Sequence, residues 1–152
     1  GEIQLRGPNV LKEYWRQPEK TVEAFQDGWF RTGDLGRYDA RGNIIICGRA
    51  KELIISGGFN IYAVDLETVL LAHPAVADVA VIGIPSEPWG ETPLGLVVLK
   101  PGCTEDGAEI LDWAKGQLGK AQPLTAIEFR PELPRSTIGK VLKRELRAPY
   151  WP

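Results

Sequence analysis

Between a β-rich opening and a mixed second half, the chain reads Gly48-Arg49-Ala50-Lys51-Glu52-Leu53-Ile54-Ile55-Ser56-Gly57-Gly58. The apolar residues Leu53 to Ile55 precede a Gly-Gly pair, which is typical of a short buried strand that ends in a permissive turn. Charged residues at positions 49, 51 and 52 come directly before that strand. The run therefore predicts both a domain boundary and a functional surface.

The pattern before this run is mostly that of β-strands. Residues 2–6 alternate between polar and apolar side chains, as expected for a strand. Residues 9–25 have helical spacing in two parts, with Pro18 near the start of the second part. Residues 38–47 have the pattern of a hairpin that turns at 40–43. We therefore interpret residues 1–48 as the edge of a larger β-structure.

The pattern after the run follows the order βαββαβα. The predicted elements are the buried strand at 53–55, a helix ending at His73-Pro74, strands at 76–84 and 93–99 joined by a loop at 87–91, a helix around 110–118, a short strand at 126–129 and a last helix at 141–147. This order predicts an α+β fold in which residues 49–152 form a small domain, a three-stranded sheet with helices, that closes its own core.

The composition excludes several classes of protein. The 152 residues include 18 basic and 20 acidic side chains, for a net charge of -2, which gives no reason to expect a nucleic-acid or anionic-membrane partner. No apolar run approaches the roughly 18 residues that a membrane span needs, and the N-terminus lacks a signal-peptide pattern. Cys47 and Cys103 are too few for a disulfide framework, which favours a reducing cytoplasmic location.

The start of the chain has an unusual feature. The sequence contains no methionine, and Gly1 already lies at the beginning of a strand pattern. Either a leader was removed or the chain is a piece of a longer protein, and we favour the second interpretation.

Metal and nucleophile motifs are not found in the sequence. The single histidine, His73, has no cysteine or histidine at ligand spacing and no orienting acid and serine, so we expect a structural or solvent-exposed role and no metal site. Ile138-Gly139-Lys140 has the ending of a phosphate-binding P-loop, but Pro134 stands where that motif needs glycine and Val141 where it needs Ser or Thr.

Three local features each allow two interpretations. Thr32-Gly33-Asp34 places a carboxylate beside a glycine, which can accept hydrogen bonds from ribose hydroxyls or simply form a turn. Ser56-Gly57-Gly58 lets the backbone approach a ligand closely, or permits positive φ in a hairpin. Lys140 follows a glycine on a loop rich in cations. It can carry charge to a phosphate or belong to a solvated helix face.

Taken together, four motifs resemble a known superfamily. They are Trp29-Phe30-Arg31-Thr32-Gly33-Asp34-Leu35, Gly48-Arg49-Ala50-Lys51, Ser56-Gly57-Gly58 and Pro134-Arg135-Ser136-Thr137-Ile138-Gly139-Lys140. Their order and spacing resemble the last signature motifs of the adenylate-forming enzymes: acyl-CoA synthetases, nonribosomal peptide synthetase adenylation domains and beetle luciferases. The resemblance runs through essentially the whole chain and is strongest to the C-terminal portion of an AMP-forming acyl-CoA synthetase.

The resemblance implies a two-step ligase. A carboxylic acid attacks the α-phosphate of ATP, bound with Mg²⁺, and gives an acyl-adenylate and pyrophosphate; coenzyme A then displaces AMP. Residues 1–48 would be the terminal segment of the large N-terminal adenylation domain, most of which is missing here. Residues 49–152 would be a mobile C-terminal lid domain that rotates between the two steps. Without the missing domain, the resemblance implies an inactive fragment.

The resemblance also implies roles for individual residues. Lys140 matches the catalytic lysine that bridges the carboxylate and the α-phosphate, and such a role agrees with the charge that a phosphoryl transition state needs. Asp34 would bind the ribose hydroxyls of AMP, and Arg49 the ribose and phosphate. Lys51 matches the hinge position between the domains.

For the second step, the resemblance implies a coenzyme A site. Gly57 and Gly58 match the glycine pair that lines the pantetheine tunnel, and Trp89 matches an aromatic residue that stacks on the adenine in some members. An exposed aromatic that fills a groove is the alternative for Trp89.

The chain also departs from the family pattern. Ala63 and Asp65 stand where members commonly carry Pro and Glu, and Lys120-Ala121-Gln122-Pro123 departs from the frequent aromatic-Lys-x-Pro, which bears on a second coenzyme A contact. Two alternatives stay open. A peptide synthetase adenylation domain is expected to continue into a carrier domain and to have a more basic loop than Ser56-Gly57-Gly58. A non-catalytic adapter module would lack a phosphate loop upstream.

Overall fold

The computed structural model describes residues 1–119 and 124–151. By its internal packing the chain forms two compact units, Gly1–Lys51 and Glu52–Pro152. The departure predicted at Lys120-Ala121-Gln122-Pro123 lies outside the described residues. Within the described part of the chain, none of the helices is both long enough and apolar enough to cross a membrane.

The first unit is a four-stranded antiparallel sheet built around its longest strand. Its elements are β1 (Glu2–Leu5), α1 (Pro18–Ala24), β2 (Phe25–Gln26), β3 (Trp29–Tyr38) and β4 (Ile44–Arg49). β3 pairs with each of the other three strands. The predicted first strand and the predicted hairpin are therefore confirmed.

The turn of that hairpin is held by one carboxylate. Asp39 Oδ1 accepts hydrogen bonds from the backbone N–H groups of Arg41 and Asn43, both at 2.8 Å. The Asn43 side chain donates to Asp39 Oδ2, and this bond is the main cause that lowers the pKa of Asp39. The sequence signal at 40–43 thus has a physical basis in an aspartate that caps the turn.

The helix predicted over residues 9–25 is wrong in its first part, because only Pro18–Ala24 is helical. Arg16 has a φ of 54°, which an α-helix does not permit, and Gln17 is held out of the helical region by the ring of Pro18. Trp15 is 76% exposed, so the apolar spacing of this segment does not correspond to a buried face within the unit.

The second unit has a five-stranded mixed sheet in the order β6-β5-β8-β7, with β9 beside β8. Its elements are β5 (Ile54–Ser56), β6 (Phe59–Ile61), α2 (Ala63–Leu71), β7 (Val76–Ser86), β8 (Gly90–Leu99), α3 (Gly107–Gln117), β9 (Ala126–Phe129) and α4 (Lys143–Arg147), followed by a 3-10 helix at Ala148–Tyr150. Another 3-10 helix, Ala50–Glu52, spans the boundary between the two units. The α+β class is confirmed, but the sheet has five strands where three were predicted.

β5 and β6 form a hairpin at one edge of the sheet. β5 corresponds to the strand predicted at 53–55, whereas β6 was not predicted. The hairpin joins the sheet through the single pair Ser56 with Gly90, and β7, β8 and β9 correspond to the other predicted strands. The helix predicted to end at His73-Pro74 is observed as α2, which begins at Ala63, and the chain between the Gly-Gly pair and this helix forms β6. A strand of three residues is too short to show a period-two pattern. The last helix also begins at Lys143 rather than 141, because Val141 pairs with Arg135.

The central parts of β7 and β8 are buried on both faces of the sheet. Alternate residues of β7 face opposite sides: Val79 and Val81 pack into a core with helices α2 and α3, whereas Ala80 and Ile82 pack into a second core with Leu146 of α4. A strand covered on both faces has a continuous apolar run, which explains the sequence from 79 to 82. The sheet therefore forms a rigid platform, with polar functional groups placed at its ends and connecting loops.

Candidate functional site

Asp34 and Arg49, both predicted to bind nucleotide, lie directly opposite each other on β3 and β4. Asp34 Oδ1 and Arg49 Nε are 3.0 Å apart, and Arg49 Nη1 donates to the Thr32 carbonyl oxygen at 3.0 Å. Both side chains are partly exposed, at 31% for Asp34 and 53% for Arg49. This arrangement presents a carboxylate with remaining acceptor capacity next to a guanidinium, a pairing that suits vicinal hydroxyls beside a phosphate.

The backbone before Asp34 is shaped by Glu2, which the sequence did not single out. Gly33 has a φ of 73°, and its N–H donates to Glu2 Oε1 at 3.1 Å. Glu2 Oε2 pairs with Arg31, and the Asp34 N–H donates to Thr32 Oγ1 at 3.0 Å. These bonds fix the direction in which the Asp34 side chain leaves the strand.

Gly57, Gly58 and Trp89 form a second group. Gly57 and Gly58 are the two turn residues between β5 and β6, with φ of 57° and 82°, as a two-residue hairpin turn with positive φ at both positions requires. The Gly57 N–H donates to the Trp89 carbonyl oxygen at 2.9 Å, and the indole lies against Gly57. Trp89 remains 58% exposed, so part of the aromatic surface is accessible to a planar ligand.

Lys140 follows a tight turn that is closed by its own backbone. The Gly139 N–H donates to the Ser136 carbonyl oxygen at 2.9 Å, and the Ser136 N–H donates to the Lys140 carbonyl oxygen at 2.8 Å. The Ser136 hydroxyl accepts from the Lys140 N–H at 3.2 Å, and Gly139 has a φ of 81°. Lys140 is exposed, and its ammonium has no ion-pair partner among residues 1–119 and 124–151. The turn thus presents an accessible cation.

The remaining predicted positions have the following surroundings. Lys51 is exposed in the 3-10 helix Ala50–Glu52 and is the last residue of the first unit. His73 has a structural role, as predicted: its Nδ1 accepts from the Ala75 N–H, and its ring packs edge-to-face on Trp113 with centroids 4.9 Å apart. In the described part of the chain, no group of three or more acidic, histidine or cysteine side chains could hold a metal ion.

Two further groups of residues were not predicted. Lys143 Nζ lies 2.7 Å from Glu67 Oε1 and 3.4 Å from Glu52 Oε2, and Glu67 also accepts from the Val81 N–H at 2.8 Å. Asp78 on β7 pairs with Arg135 at the start of the Lys140 turn. The cationic run around Lys140 indicated Lys143 and Arg135 only as a charged group, and no sequence pattern indicated their acidic partners.

The structure brings together two pairs of the predicted residues, one in each unit. Asp34 lies with Arg49 in the first unit, and Gly57 lies with Trp89 in the second. Within the described residues of the second unit, no hydrogen bond or ion pair joins the Lys140 side chain to Gly57 or Trp89.

The sequence and structure are similar to those of several known proteins. The chain is 44% identical, over 97% of its length, to the 2-succinylbenzoate–CoA ligase of Geobacillus kaustophilus. It is 42% identical, over 96% of its length, to the long-chain-fatty-acid–CoA ligase of Bacillus subtilis. It spans 30% and 26% of the lengths of these two relatives.

A solved structure gives the same result. The crystal structure of ATP-bound MatB from Rhodopseudomonas palustris matches 99% of the chain, and 30% of that protein, with a TM-score of 0.91 and 46% identity. The family of AMP-binding enzyme C-terminal domains matches residues 65–140, which include both the Trp89 loop and the Lys140 turn. The chain belongs to the family of AMP-binding enzyme C-terminal domains.

Proposed function

We propose that this chain is the C-terminal part of an AMP-forming ligase that joins a carboxylic acid to coenzyme A through an acyl-adenylate. The observation that carries the proposal is the exposed ammonium of Lys140 on a closed turn, which has no ion-pair partner in the described part of the chain. The order of the four motifs and the CoA-ligase names of the relatives support it. The chain spans about 30% of those relatives, so the adenine, triphosphate and acyl pockets belong to the rest of the parent protein.

In the first step, the acid attacks the α-phosphorus of MgATP and pyrophosphate leaves. Lys140 stabilises, by its positive charge, the negative charge that develops between the carboxylate and the α-phosphate. It forms no covalent bond in this step. Asp34 accepts from the ribose hydroxyls, and Arg49 holds Asp34 and contacts the ribose and phosphate. Mg²⁺ enters with ATP as part of the substrate, and we assign no ligand in this chain to it.

In the second step, the thiol of coenzyme A attacks the acyl carbonyl and AMP leaves. The turn at Gly57 and Gly58 lacks side chains, which leaves room for the narrow pantetheine arm to lie against the backbone. The exposed face of Trp89 stacks on the adenine of coenzyme A. Stacking of a base on an aromatic side chain is worth about 1–3 kcal/mol.

We assign the two units to two functional parts of the parent enzyme. Residues 1–48 form the terminal segment of the large domain, and residues 49–152 form the mobile lid with Lys51 as the hinge. The position of Lys51 at the sequence junction between the two compact units supports this assignment. Both cysteines are free thiols, which supports a location in the reducing cytoplasm.

The test uses the full-length parent enzyme and a panel of carboxylic acids, with ATP-dependent formation of acyl-CoA as the measurement. We expect acylation with at least one acid, release of AMP and pyrophosphate, and no activity from residues 1–152 alone. A parent protein without adenylation activity on any acid would instead favour a non-catalytic adapter module with the lid fold.

The role of Lys140 is tested in the same parent enzyme. Lys140→Ala should reduce acid-dependent ATP–pyrophosphate exchange by about 10²–10³-fold, or 2.7–4 kcal/mol in the barrier, by analogy with other preorganised charge stabilisers. The same variant should convert supplied acyl-adenylate to acyl-CoA normally. Undiminished pyrophosphate exchange would contradict the assignment.

A further inference from the structure

We propose that Asp78 is a positioning residue for Lys140 and acts through Arg135; this inference depends on the adenylation role proposed for Lys140. Asp78 lies on β7, 62 residues before Lys140 in the sequence (140 − 78). It belongs to none of the four motifs. The structure nevertheless connects it to the peptide group of Lys140 through a single guanidinium.

The Arg135 guanidinium bridges two acceptors. Its Nη1 donates to the Gly139 carbonyl oxygen at 2.7 Å, and its Nη2 donates to Asp78 Oδ2. The Gly139 carbonyl belongs to the peptide bond that joins Gly139 to Lys140. One rigid, planar side chain therefore ties the peptide group of Lys140 to a carboxylate on the sheet.

The bonds inside the turn fix its shape but not its direction. Ser136, Gly139 and Lys140 bond to one another, and Arg135 pairs with Val141 where the turn closes. A turn closed in this way can still tilt about its two ends. The contact with Asp78 adds a third point of attachment, and this point lies on a strand whose next residues, from Val79 to Ile82, are buried.

The chemistry of the pair suits this purpose. An arginine fork makes two directed hydrogen bonds at once, whereas a lysine is a point charge that cannot reproduce both in the same geometry. Asp78 keeps the guanidinium oriented toward the Gly139 carbonyl oxygen. The Asp78 carboxylate is itself oriented because the Val79 N–H donates to Asp78 Oδ1 at 3.0 Å. The Lys140 side chain therefore leaves the turn in one defined direction.

The test uses the full-length parent enzyme with Asp78→Ala, and measures the two half-reactions separately. Misplacement of a reacting group by about 1 Å costs on the order of 10²-fold in rate. We expect pyrophosphate exchange to fall by roughly 10- to 100-fold through kcat, with an unchanged rate of acyl-CoA formation from supplied acyl-adenylate. Arg135→Lys should reduce the same half-reaction. Asp112→Ala removes an exposed helix ion pair with Lys115 and serves as the matched control, with both half-reactions unchanged.

Asp78→Asn, which keeps the shape of the side chain, serves as a second variant in case Asp78→Ala fails to fold, and a smaller loss in the same half-reaction is expected. The double variant Asp78→Ala/Lys140→Ala should exchange pyrophosphate no more slowly than Lys140→Ala, because Asp78 acts only through that lysine. Full exchange by Asp78→Ala or Asp78→Asn, with loss in Lys140→Ala, would overturn the inference alone. Equal loss of both half-reactions in the Asp78 variants would also overturn it. Full exchange by Lys140→Ala would instead overturn the proposed function.

Discussion

A β-carbon placed on Gly57 would lie 2.8 Å from the indole ring of Trp89, closer than real β-carbons approach other atoms. The glycine therefore sets the position of the tryptophan as well as the shape of the turn. Gly58, its neighbour, has an equally positive φ but open space where its β-carbon would be. A side chain at either glycine would strain the backbone, but only a side chain at Gly57 would also contact the aromatic ring.

Gly57→Ala should displace Trp89, whereas Gly58→Ala should only strain the backbone, by roughly 1 kcal/mol. If Trp89 stacks on the adenine of coenzyme A, Gly57→Ala reduces the preference of the parent enzyme for coenzyme A over pantetheine, which lacks the adenine. Gly58→Ala should keep that preference. The measurement is kcat/KM for each thiol with supplied acyl-adenylate. An equal preference for coenzyme A in both variants would exclude Trp89 from adenine binding.

Asp34→Ala should weaken ATP use by about 1.5–3 kcal/mol, or roughly 10- to 150-fold in kcat/KM, the worth of hydrogen bonds to a charged group. Arg49 loses its carboxylate partner in this variant, so the loss alone does not identify the ribose as the ligand. 2′-Deoxy-ATP and 3′-deoxy-ATP make the test specific. The penalty for removing a hydroxyl should be large in the native enzyme and absent in Asp34→Ala. A loss in kcat/KM with the deoxy nucleotides that persists in Asp34→Ala would assign ribose binding to other residues. Glu19→Ala, at an exposed residue of α1, is the control.

Lys51→Pro should stall acyl transfer to coenzyme A while adenylation remains measurable. Proline fixes φ near −65° and so prevents the change in backbone angle that a hinge requires. Lys51→Ala keeps the backbone free and is the control, with both half-reactions retained. Equal loss of both half-reactions in Lys51→Pro would place the hinge elsewhere.

The C-terminal residues give a prediction for alkaline pH. Burial and a hydrogen bond to Glu128 raise the pKa of Tyr150, whose hydroxyl donates to Glu128 Oε2 at 2.7 Å. The folded state therefore favours the protonated phenol. Its contribution to stability is fully present below the unfolded pKa of about 10 and is lost as the pH rises through the higher folded value.

We therefore expect the free energy of unfolding of the native chain to fall more steeply above pH 10 than that of Tyr150→Phe. The measurement is denaturant unfolding at a series of pH values. Tyr38→Phe, at an exposed residue of β3, is the control and should follow the native curve. Parallel curves for the native chain and Tyr150→Phe would contradict the raised pKa.

The sequence predicted individual candidate site residues but not which of them are neighbours in space. Asp34 and Arg49 were both predicted, but their pairing depends on a register shift between Leu35 and Gly36 that no local pattern reveals. Gly57 and Trp89 are brought together by the single pair Ser56 with Gly90. Such long-range pairings depend on packing of the whole sheet and leave no periodic signal in either strand.

One predicted helix was wrong in its first part, and one residue, Asp78, was not singled out. Residues 9–17 have the apolar spacing of a helix, but positive φ at Arg16 and the ring of Pro18 prevent it. Asp78 is the only charged residue of the otherwise mostly apolar strand β7, a position that usually means solvent exposure. Its ion pair with Arg135 joins residues that are 57 positions apart, so no local pattern predicts it.

The central strand of the second unit, β8, has β7 on one side and β9 on the other, with apolar side chains above and below. A strand that is hydrogen-bonded along both edges and packed on both faces cannot bend without breaking hydrogen bonds between the strands. Any reorientation of this unit during a catalytic cycle would therefore move the Lys140 turn and Trp89 together. The change in backbone conformation would occur in the segment that connects the two units.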